Sequence, residues 1–263
     1  MAELSVAELN GAAADREQLQ ALALTNYGHF TSMRVEDGRV RGLALHLERL
    51  RRDCRALFDA DLDTDRVRAL VRGALGECSP VVVRVTVFDP ALELGHPGAD
   101  AQPDVLVTTR AAGSAQPPPL HLRSVEHRRE VPEVKHVGLF GSLRQRRLAQ
   151  RAGFDDALFT DGGLISEITT SNIGFVDGDR VVWPGADQLP GVTKQLLDDL
   201  PELVTSTAAL TPSEAAGTDA AFATNAAVAV RPVRALDQHR WPERHPVLDR
   251  LRARYAEIDP ERL

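Results

Sequence analysis

The sequence predicts an α/β protein of two domains, and three observations lead to this prediction. Runs of β-branched residues alternate with amphipathic helical segments along the chain. Its 263 residues are enough for two domains of ordinary size. Residues 113–119, GSAQPPP, combine small residues with a proline run that favours an extended linker. We therefore expect a small N-terminal α/β domain over residues 1–112 and a larger C-terminal α/β domain over residues 120–263.

The elements of the N-terminal domain are predicted from periodicity. Residues 29–42 indicate a hairpin with a tight turn at Asp37-Gly38. Apolar residues at intervals of three or four then predict two helices, and β-branched runs predict two strands. These elements are the helices 43–57 and 62–76 and the strands 81–88 and 105–109.

The same patterns predict the C-terminal domain. A helix is expected over residues 139–152, and a second one is expected to begin at Gly191 and end near Leu200. Asp177-Gly178 is typical of a hairpin turn. Short strands are expected at residues 120–125, 156–159, 164–165, 173–176, 181–183 and 221–224.

Charge and composition argue against several classes of function. The net charge is −7 and the pI is near 5.6, so we expect no nucleic-acid partner. No apolar run approaches the roughly 20 residues that span a bilayer. The N-terminus also lacks the basic start and apolar core of a signal peptide, so we expect a cytoplasmic protein without a membrane role. Cys54 and Cys78, without CxxC spacing, predict neither a disulfide framework nor a metal site.

The basic residues are unevenly divided between arginine and lysine. Of 31 basic residues only Lys135 and Lys194 are lysine. Only an amine condenses with an aldehyde, and the pKa of a lysine amine shifts readily on burial. One hypothesis is that lysine was retained where a guanidinium cannot replace it. The alternative is that the two lysines are remnants of a drifting surface.

The chain offers candidates for each part of a pyridoxal phosphate (PLP) site. Such a site needs a lysine amine, a carboxylate facing the pyridine nitrogen and donors for the phosphate. Lys135 precedes the predicted helix at 139–152, and Glu167 lies on a predicted short strand before a polar run. The turn at 189–193, LPGVT, places the amides of Val192 and Thr193 at a helix start. Taken singly, each also fits a structural role, as a solvated carboxylate or a helix cap.

In order and spacing these residues resemble the class IV aminotransferases of PLP fold type IV. That family includes branched-chain and D-amino-acid aminotransferases and 4-amino-4-deoxychorismate lyase. The resemblance extends over nearly the whole chain and implies a two-domain fold with the cofactor at the domain interface, assembled as a homodimer. The stretches that resemble the family are FTSMRVEDG at 30–38, HLERL at 46–50, GFDDALFTDGGLISEITTSNIGFVDG at 153–178 and FATNA at 222–226.

The resemblance also implies roles for individual residues. Lys135 is expected to form the Schiff base with PLP and to act in catalysis, and Glu167 is expected to pair with the pyridine nitrogen. Arg49 is expected to bind the phosphate, although an arginine on a helix is more often solvated. The further cofactor-binding residues that the resemblance implies are Ser171, Asn172, Val192, Thr193 and Asn225.

Two departures from the family pattern concern the substrate. Thr31 stands where many transaminases of the family have glutamate. Phe88-Asp89-Pro90 replaces an Arg-Gly whose arginine binds the substrate carboxylate in the D-amino-acid enzymes. Another arginine is therefore expected to bind that carboxylate. The candidates are Arg34, Arg84, Arg128 and Arg129, and Thr31 and His29 are further candidate substrate contacts, with a packed strand histidine as the alternative for His29.

Three functions remain open from the sequence. The first is an aminotransferase that moves an amino group between an amino acid or amine and a keto acid. The amino donor and the keto acceptor would be its small-molecule partners. The second is a lyase of the 4-amino-4-deoxychorismate type, which releases pyruvate. The third is a PLP-binding protein with degenerate activity. The two enzymes differ in whether an amino acid and then a keto acid cycle the cofactor spectrum.

Overall fold

The computed structural model of the protein describes residues 4–76 and 80–263, so Cys78 lies outside the described residues. The chain divides into two compact units. The first consists of the residues up to Gly113 together with Val134–Gly138 and Asp259–Leu263. The second consists of Ser114–Glu133 and Leu139–Ile258. The domain limits expected from the sequence stay a prediction.

The first unit is built on an antiparallel sheet of five strands. The elements are β1 (Leu4–Leu9), β2 (Ala12–Ala13), α1 (Arg16–Thr25), β3 (His29–Val35), β4 (Arg39–Val40), α2 (Leu43–Phe58), α3 (Thr64–Gly73), β5 (Val81–Phe88) and β6 (Asp104–Ala111). The strand order in the sheet is β2-β1-β6-β5-β3, and a short C-terminal strand, Glu261–Arg262, pairs with β4 outside this sheet.

Local sequence explains the elements that place the site in this unit. Asp37 and Gly38 both have positive φ, 50° and 69°, and the predicted hairpin turn between β3 and β4 is confirmed. The valines of β5 are buried, and this strand lies between β6 and β3 in the sheet. Helix α2 packs on β3 through Leu43, Leu50 and Cys54. The helix predicted at 62–76 is shorter than expected: the carboxylate of Asp63 caps its first turn, so α3 begins at Thr64, and it ends at Gly73.

The second unit is built on a mixed sheet of nine strands. The elements are β7 (Leu120–Glu126), α4 (Phe140–Arg151), β8 (Asp156–Asp161), β9 (Leu164–Ile168), β10 (Asn172–Asp177), β11 (Arg180–Pro184), α5 (Val192–Asp198), β12 (Val204–Ala208), α6 (Pro212–Ala215), β13 (Ala220–Asn225), β14 (Ala229–Leu236), β15 (His239–Arg240) and α7 (Pro246–Glu257). The strand order is β12-β11-β10-β13-β14-β7-β8-β9, with β15 paired to β14. Strand pairs β11–β12, β14–β7 and β7–β8 are parallel.

Two apolar clusters pack on this sheet. One contains Phe175 and Trp241, and the other contains Trp183, Phe222 and residues of α7. Among the described residues, none of the helices has both the length and the apolar character that crossing a membrane requires.

Candidate active site

The main chain of Lys135 is fixed within the first unit. Its carbonyl accepts the N–H of Phe30 at 2.9 Å, and its own N–H donates to Oδ2 of Asp53 at 2.9 Å. Its Nζ lies 4.9 Å from the centroid of the Phe30 ring. The lysine therefore has a backbone held from both sides, by strand β3 and by helix α2.

Asp53 is the site residue that sequence reasoning missed. It is fully buried, and its Oδ1 accepts two hydrogen bonds from Arg52, at 2.7 and 3.1 Å. A signal was available, because Asp53 lies three residues after Leu50 and four before Leu57 on the apolar face of the predicted helix. An acid on such a face requires a partner. One partner, Arg52, is the neighbour in sequence, but the other, the amide of Lys135, is 82 positions away and cannot be found from local sequence.

Arg84 lies on the same ring as Lys135. Its guanidinium carbon is 3.6 Å from the centroid of Phe30, and its Nε donates to Oγ1 of Thr86 at 3.3 Å. Burial lowers the pKa of Arg84 from its ordinary value. Within residues 4–76 and 80–263, no carboxylate forms an ion pair with Arg84. A partly desolvated cation in this position is suited to an anionic ligand.

The other arginine candidates already have acidic partners. An arginine whose charge is neutralised within the protein has less to gain from a substrate carboxylate. Arg128 is in addition 61% exposed. The pairs are Arg34 with Glu36 at 2.7 Å, Arg128 with Asp187 at 3.1 Å and with Asp161 at 3.5 Å, and Arg129 with Glu167 at 3.1 Å.

A buried histidine joins Thr31 to helix α2. Oγ1 of Thr31 lies 2.7 Å from Nδ1 of His46, and both residues are buried. Burial, with smaller contributions from Arg49 and Lys135, lowers the pKa of His46 to about 3, so its imidazole is neutral. Arg49 follows His46 by one helical turn and is only 5% exposed. A solvated arginine, the alternative for this position, is therefore wrong.

His29 is fully buried at the start of β3 and pairs through its main chain with His136. Neither ring nitrogen has a hydrogen-bond partner among the described residues. Burial first, and then Arg52, lower its pKa to about 3. This placement fits the alternative that His29 is a packed histidine on a strand. A contact between His29 and the substrate stays a prediction.

In the second unit, Glu167 lies on β9 and is buried. Its Oε1 is 3.1 Å from Nη1 of Arg129, which also donates to the carbonyl of Pro132 at 3.2 Å. Glu167 is 5% exposed, so the solvated carboxylate considered from the sequence is wrong.

Five predicted cofactor residues lie at the paired strands β10 and β13 and at the start of helix α5. Nδ2 of Asn172 donates to the carbonyl of Leu189 at 2.8 Å, and Nδ2 of Asn225 donates to Oγ of Ser171 at 2.9 Å. Val192 and Thr193 begin helix α5 and are buried. Oγ1 of Thr193 has no hydrogen-bond partner among the residues described. A buried hydroxyl is costly unless it is satisfied, so this atom fits a phosphate oxygen.

Gly191 is required where α5 begins. A Cβ at this position would meet Oδ1 of Asn172 well inside contact distance. We expect Gly191→Ala to displace Asn172 and to lower the free energy of unfolding by roughly 1–3 kcal/mol, as overpacking typically does. Urea unfolding would measure this change. Gly73→Ala is the control, since a Cβ there meets nothing within 4 Å; equal stability of the two variants would contradict the prediction.

Lys194 has a structural environment. Its Nζ pairs with Oδ2 of Asp198 at 3.1 Å, one helical turn away, and lies 5.1 Å from the Trp183 ring. This arrangement favours Lys135 as the lysine with a chemical role.

Comparisons with known proteins agree with these observations. The family model described as amino-transferase class IV matches residues 28–236. The branched-chain aminotransferase from the thermophilic archaeon Thermoproteus uzoniensis, solved with norvaline, is 20% identical with a TM-score of 0.85, covering 97% of this chain and 94% of that one. An aminotransferase from Brucella abortus bound to PLP is 25% identical with a TM-score of 0.79, covering 88% of each chain.

A structure from Legionella pneumophila, named as a candidate 4-amino-4-deoxychorismate lyase, is also similar. It is 22% identical with a TM-score of 0.79, covering 90% of this chain and 93% of that one. No curated protein matches the chain in sequence.

The fold is that of the PLP enzymes of fold type IV, and the predicted fold class is confirmed. The chain belongs to the class IV aminotransferase family. The roles of the individual site residues stay predictions.

Proposed function

We propose that the protein is a PLP-dependent aminotransferase that moves an amino group between an amino acid or amine and a keto acid. Family membership supports the reaction class. The observation that supports it most directly in the structure is the placement of Lys135. Its main chain is fixed by Phe30 and Asp53, and its amine lies beside the ring that Arg84 covers.

Each unit by itself carries residues with the chemistry that PLP requires. When bound, PLP supplies an electron sink for the carbon that bears the amino group. The Nζ of Lys135 would hold the aldehyde carbon and, once released from it, move a proton. The buried carboxylate of Glu167 would accept a hydrogen bond from the pyridine nitrogen. The hydroxyl of Thr193 would donate to the phosphate, and Arg49 would neutralise its charge.

We propose that Arg84 binds the substrate carboxylate, because the other three arginine candidates form ion pairs with acidic residues of the protein. Loss of a charged hydrogen bond costs about 1.5–3 kcal/mol. We therefore expect Arg84→Gln to raise KM for an amino acid by about 10-fold to 100-fold. KM for a primary amine without a carboxylate should change little. Steady-state kinetics on both substrates would measure this.

Arg128→Gln is the control for this prediction, since Arg128 is largely exposed and forms ion pairs with Asp161 and Asp187. An equal rise in KM for the amine and the amino acid would show that Arg84 does not bind the carboxylate. A rise with Arg128→Gln alone would assign the carboxylate to Arg128 instead.

A spectroscopic screen tests the reaction itself. For an aminotransferase, an amino acid shifts the absorbance of the bound cofactor, and a keto acid restores it. The second candidate, a 4-amino-4-deoxychorismate lyase, is supported by the similar Legionella pneumophila structure. Such an enzyme would release pyruvate without a lasting spectral change. A protein that binds PLP but responds to no amine would have a binding role instead.

We also propose that the protein is a cytoplasmic homodimer. Helix α4 exposes three apolar side chains that a second copy would cover, with 76% of Phe140, 53% of Leu143 and 42% of Leu148 exposed. Light scattering on the purified protein at several concentrations would test the oligomeric state.

A further inference from the structure

Arg129 and Glu167 form a buried ion pair within the second unit. The two side chains are 9% and 7% exposed, and Nη1 of Arg129 is 3.1 Å from Oε1 of Glu167. The same Nη1 donates to the carbonyl of Pro132. Arg129 follows β7, and Glu167 lies on β9, two strands away in the sheet. The pair therefore links the loop before α4 to the strand that bears the acid.

We infer that Arg129 is a positioning residue for Glu167, which keeps this carboxylate ionised and fixed in orientation toward the pyridine nitrogen of PLP. The inference rests on the proposed function and assigns Arg129 a role other than substrate binding.

The physical reason is the cost of burying a charge. A buried carboxylate without a nearby cation is driven toward its neutral, protonated form. A protonated acid would donate a hydrogen bond to the pyridine nitrogen, whereas an ionised one accepts a hydrogen bond from a protonated ring. The charge on Arg129 therefore favours the ionised form of Glu167 and, with it, the protonated ring.

The geometry suits an arginine better than a lysine. A guanidinium is planar and presents donors in fixed directions, so it can contact a carboxylate and a carbonyl together. Both contacts come from Nη1, whose two N–H groups have fixed directions in the guanidinium plane. An ammonium would keep the charge but would hold the carboxylate less firmly.

The test uses the holoenzyme with PLP labelled with ¹⁵N in the ring. The readouts are the ¹⁵N chemical shift of the resting enzyme across neutral pH and the Kd of PLP. We expect a protonated ring nitrogen in the unchanged protein and an unprotonated one in Arg129→Gln, with PLP bound at least about 10-fold more weakly. Arg129→Lys should restore the protonated signal.

Glu167→Gln provides the matched comparison. If Arg129 acts through Glu167, the double variant Arg129→Gln, Glu167→Gln should give the same ¹⁵N shift as Glu167→Gln alone. The double variant also removes both buried charges, so it remains informative if Arg129→Gln alone does not fold. A further change in shift on removing Arg129 from the Glu167→Gln protein would overturn the inference.

The inference and the proposed function fail in different ways. A protonated ring and unchanged PLP affinity in Arg129→Gln would refute the inference while leaving PLP binding intact. An unchanged protein that binds no PLP would refute the proposed function. A protonated ring that persists in Glu167→Gln would remove the role of Glu167 and with it the inference.

Discussion

Replacement of Lys135 by alanine is expected to reduce turnover by at least about 10⁴-fold, the upper range for loss of a positioned acid–base group. The loss should be large because the same amine holds the cofactor aldehyde and moves the substrate proton. Alanine also removes the side chain from beside Phe30 without removing the main-chain hydrogen bonds to Phe30 and Asp53. Steady-state assays with an active donor and acceptor pair would measure the change.

The second lysine is the matched control. Lys194→Arg retains a positive charge beside Asp198 and is expected to keep its turnover. Borohydride reduction of the PLP-loaded protein, followed by peptide mass spectrometry, should place the trapped cofactor on Lys135. Because the chain has only two lysines, the assignment has one alternative. A label on Lys194, or turnover by Lys135→Ala, would contradict the proposed function.

Local sequence was sufficient for those parts of the fold whose pattern is local. The β-branched run at Val81–Phe88 forms β5 as predicted, and the spacing of leucines in α2 predicts its buried face. The strands β12 and β14 were not predicted, because exposed or polar residues and Pro232 interrupt the alternation of apolar and polar residues there. Helix α7 was not predicted either, although Pro246 at its first turn is a start signal.

The site shows the same division. The resemblance pointed to Lys135 and Glu167, but neither partner that fixes them was identified. Asp53 and Arg129 are 82 and 38 positions from the residues they contact. Such pairs form only when the chain has folded. In the sequence, charge alone does not indicate which of the neighbours Arg128 and Arg129 pairs with Glu167. Burial made the distinction, since Arg129 is enclosed with Glu167 whereas Arg128 is exposed.

The protein is also expected to lose stability steeply in mild acid, because of two buried histidines. Burial lowers the pKa of both His29 and His46 to about 3, against 6.5 for an ordinary histidine. Between about pH 6.5 and pH 3 the unfolded chain therefore binds up to two protons that the folded chain does not. Stability is unaffected by these groups above that pH and falls as the pH drops toward 3.

The magnitude is large compared with the stability of an ordinary domain. Each pH unit below the unfolded pKa costs about 1.4 kcal/mol per histidine. At about pH 4.5 the two residues together should cost roughly 5 kcal/mol, which is as much as the whole stability of many domains. Both rings are neighbours of cations, Arg52 for His29 and Arg49 with Lys135 for His46, so protonation gains nothing from them.

Urea unfolding as a function of pH would measure this effect. His29→Leu removes a ring whose nitrogens have no hydrogen-bond partner among the described residues, so it should change the free energy of unfolding little at neutral pH. In acid it should reduce the dependence of that free energy on pH by the equivalent of about one proton. His46→Gln should reduce this dependence similarly. His96→Gln is the control, because His96 is 80% exposed. If in all three variants the free energy of unfolding depended on pH as in the unchanged protein, these two rings would not cause the acid unfolding. Carboxylates elsewhere would then be responsible.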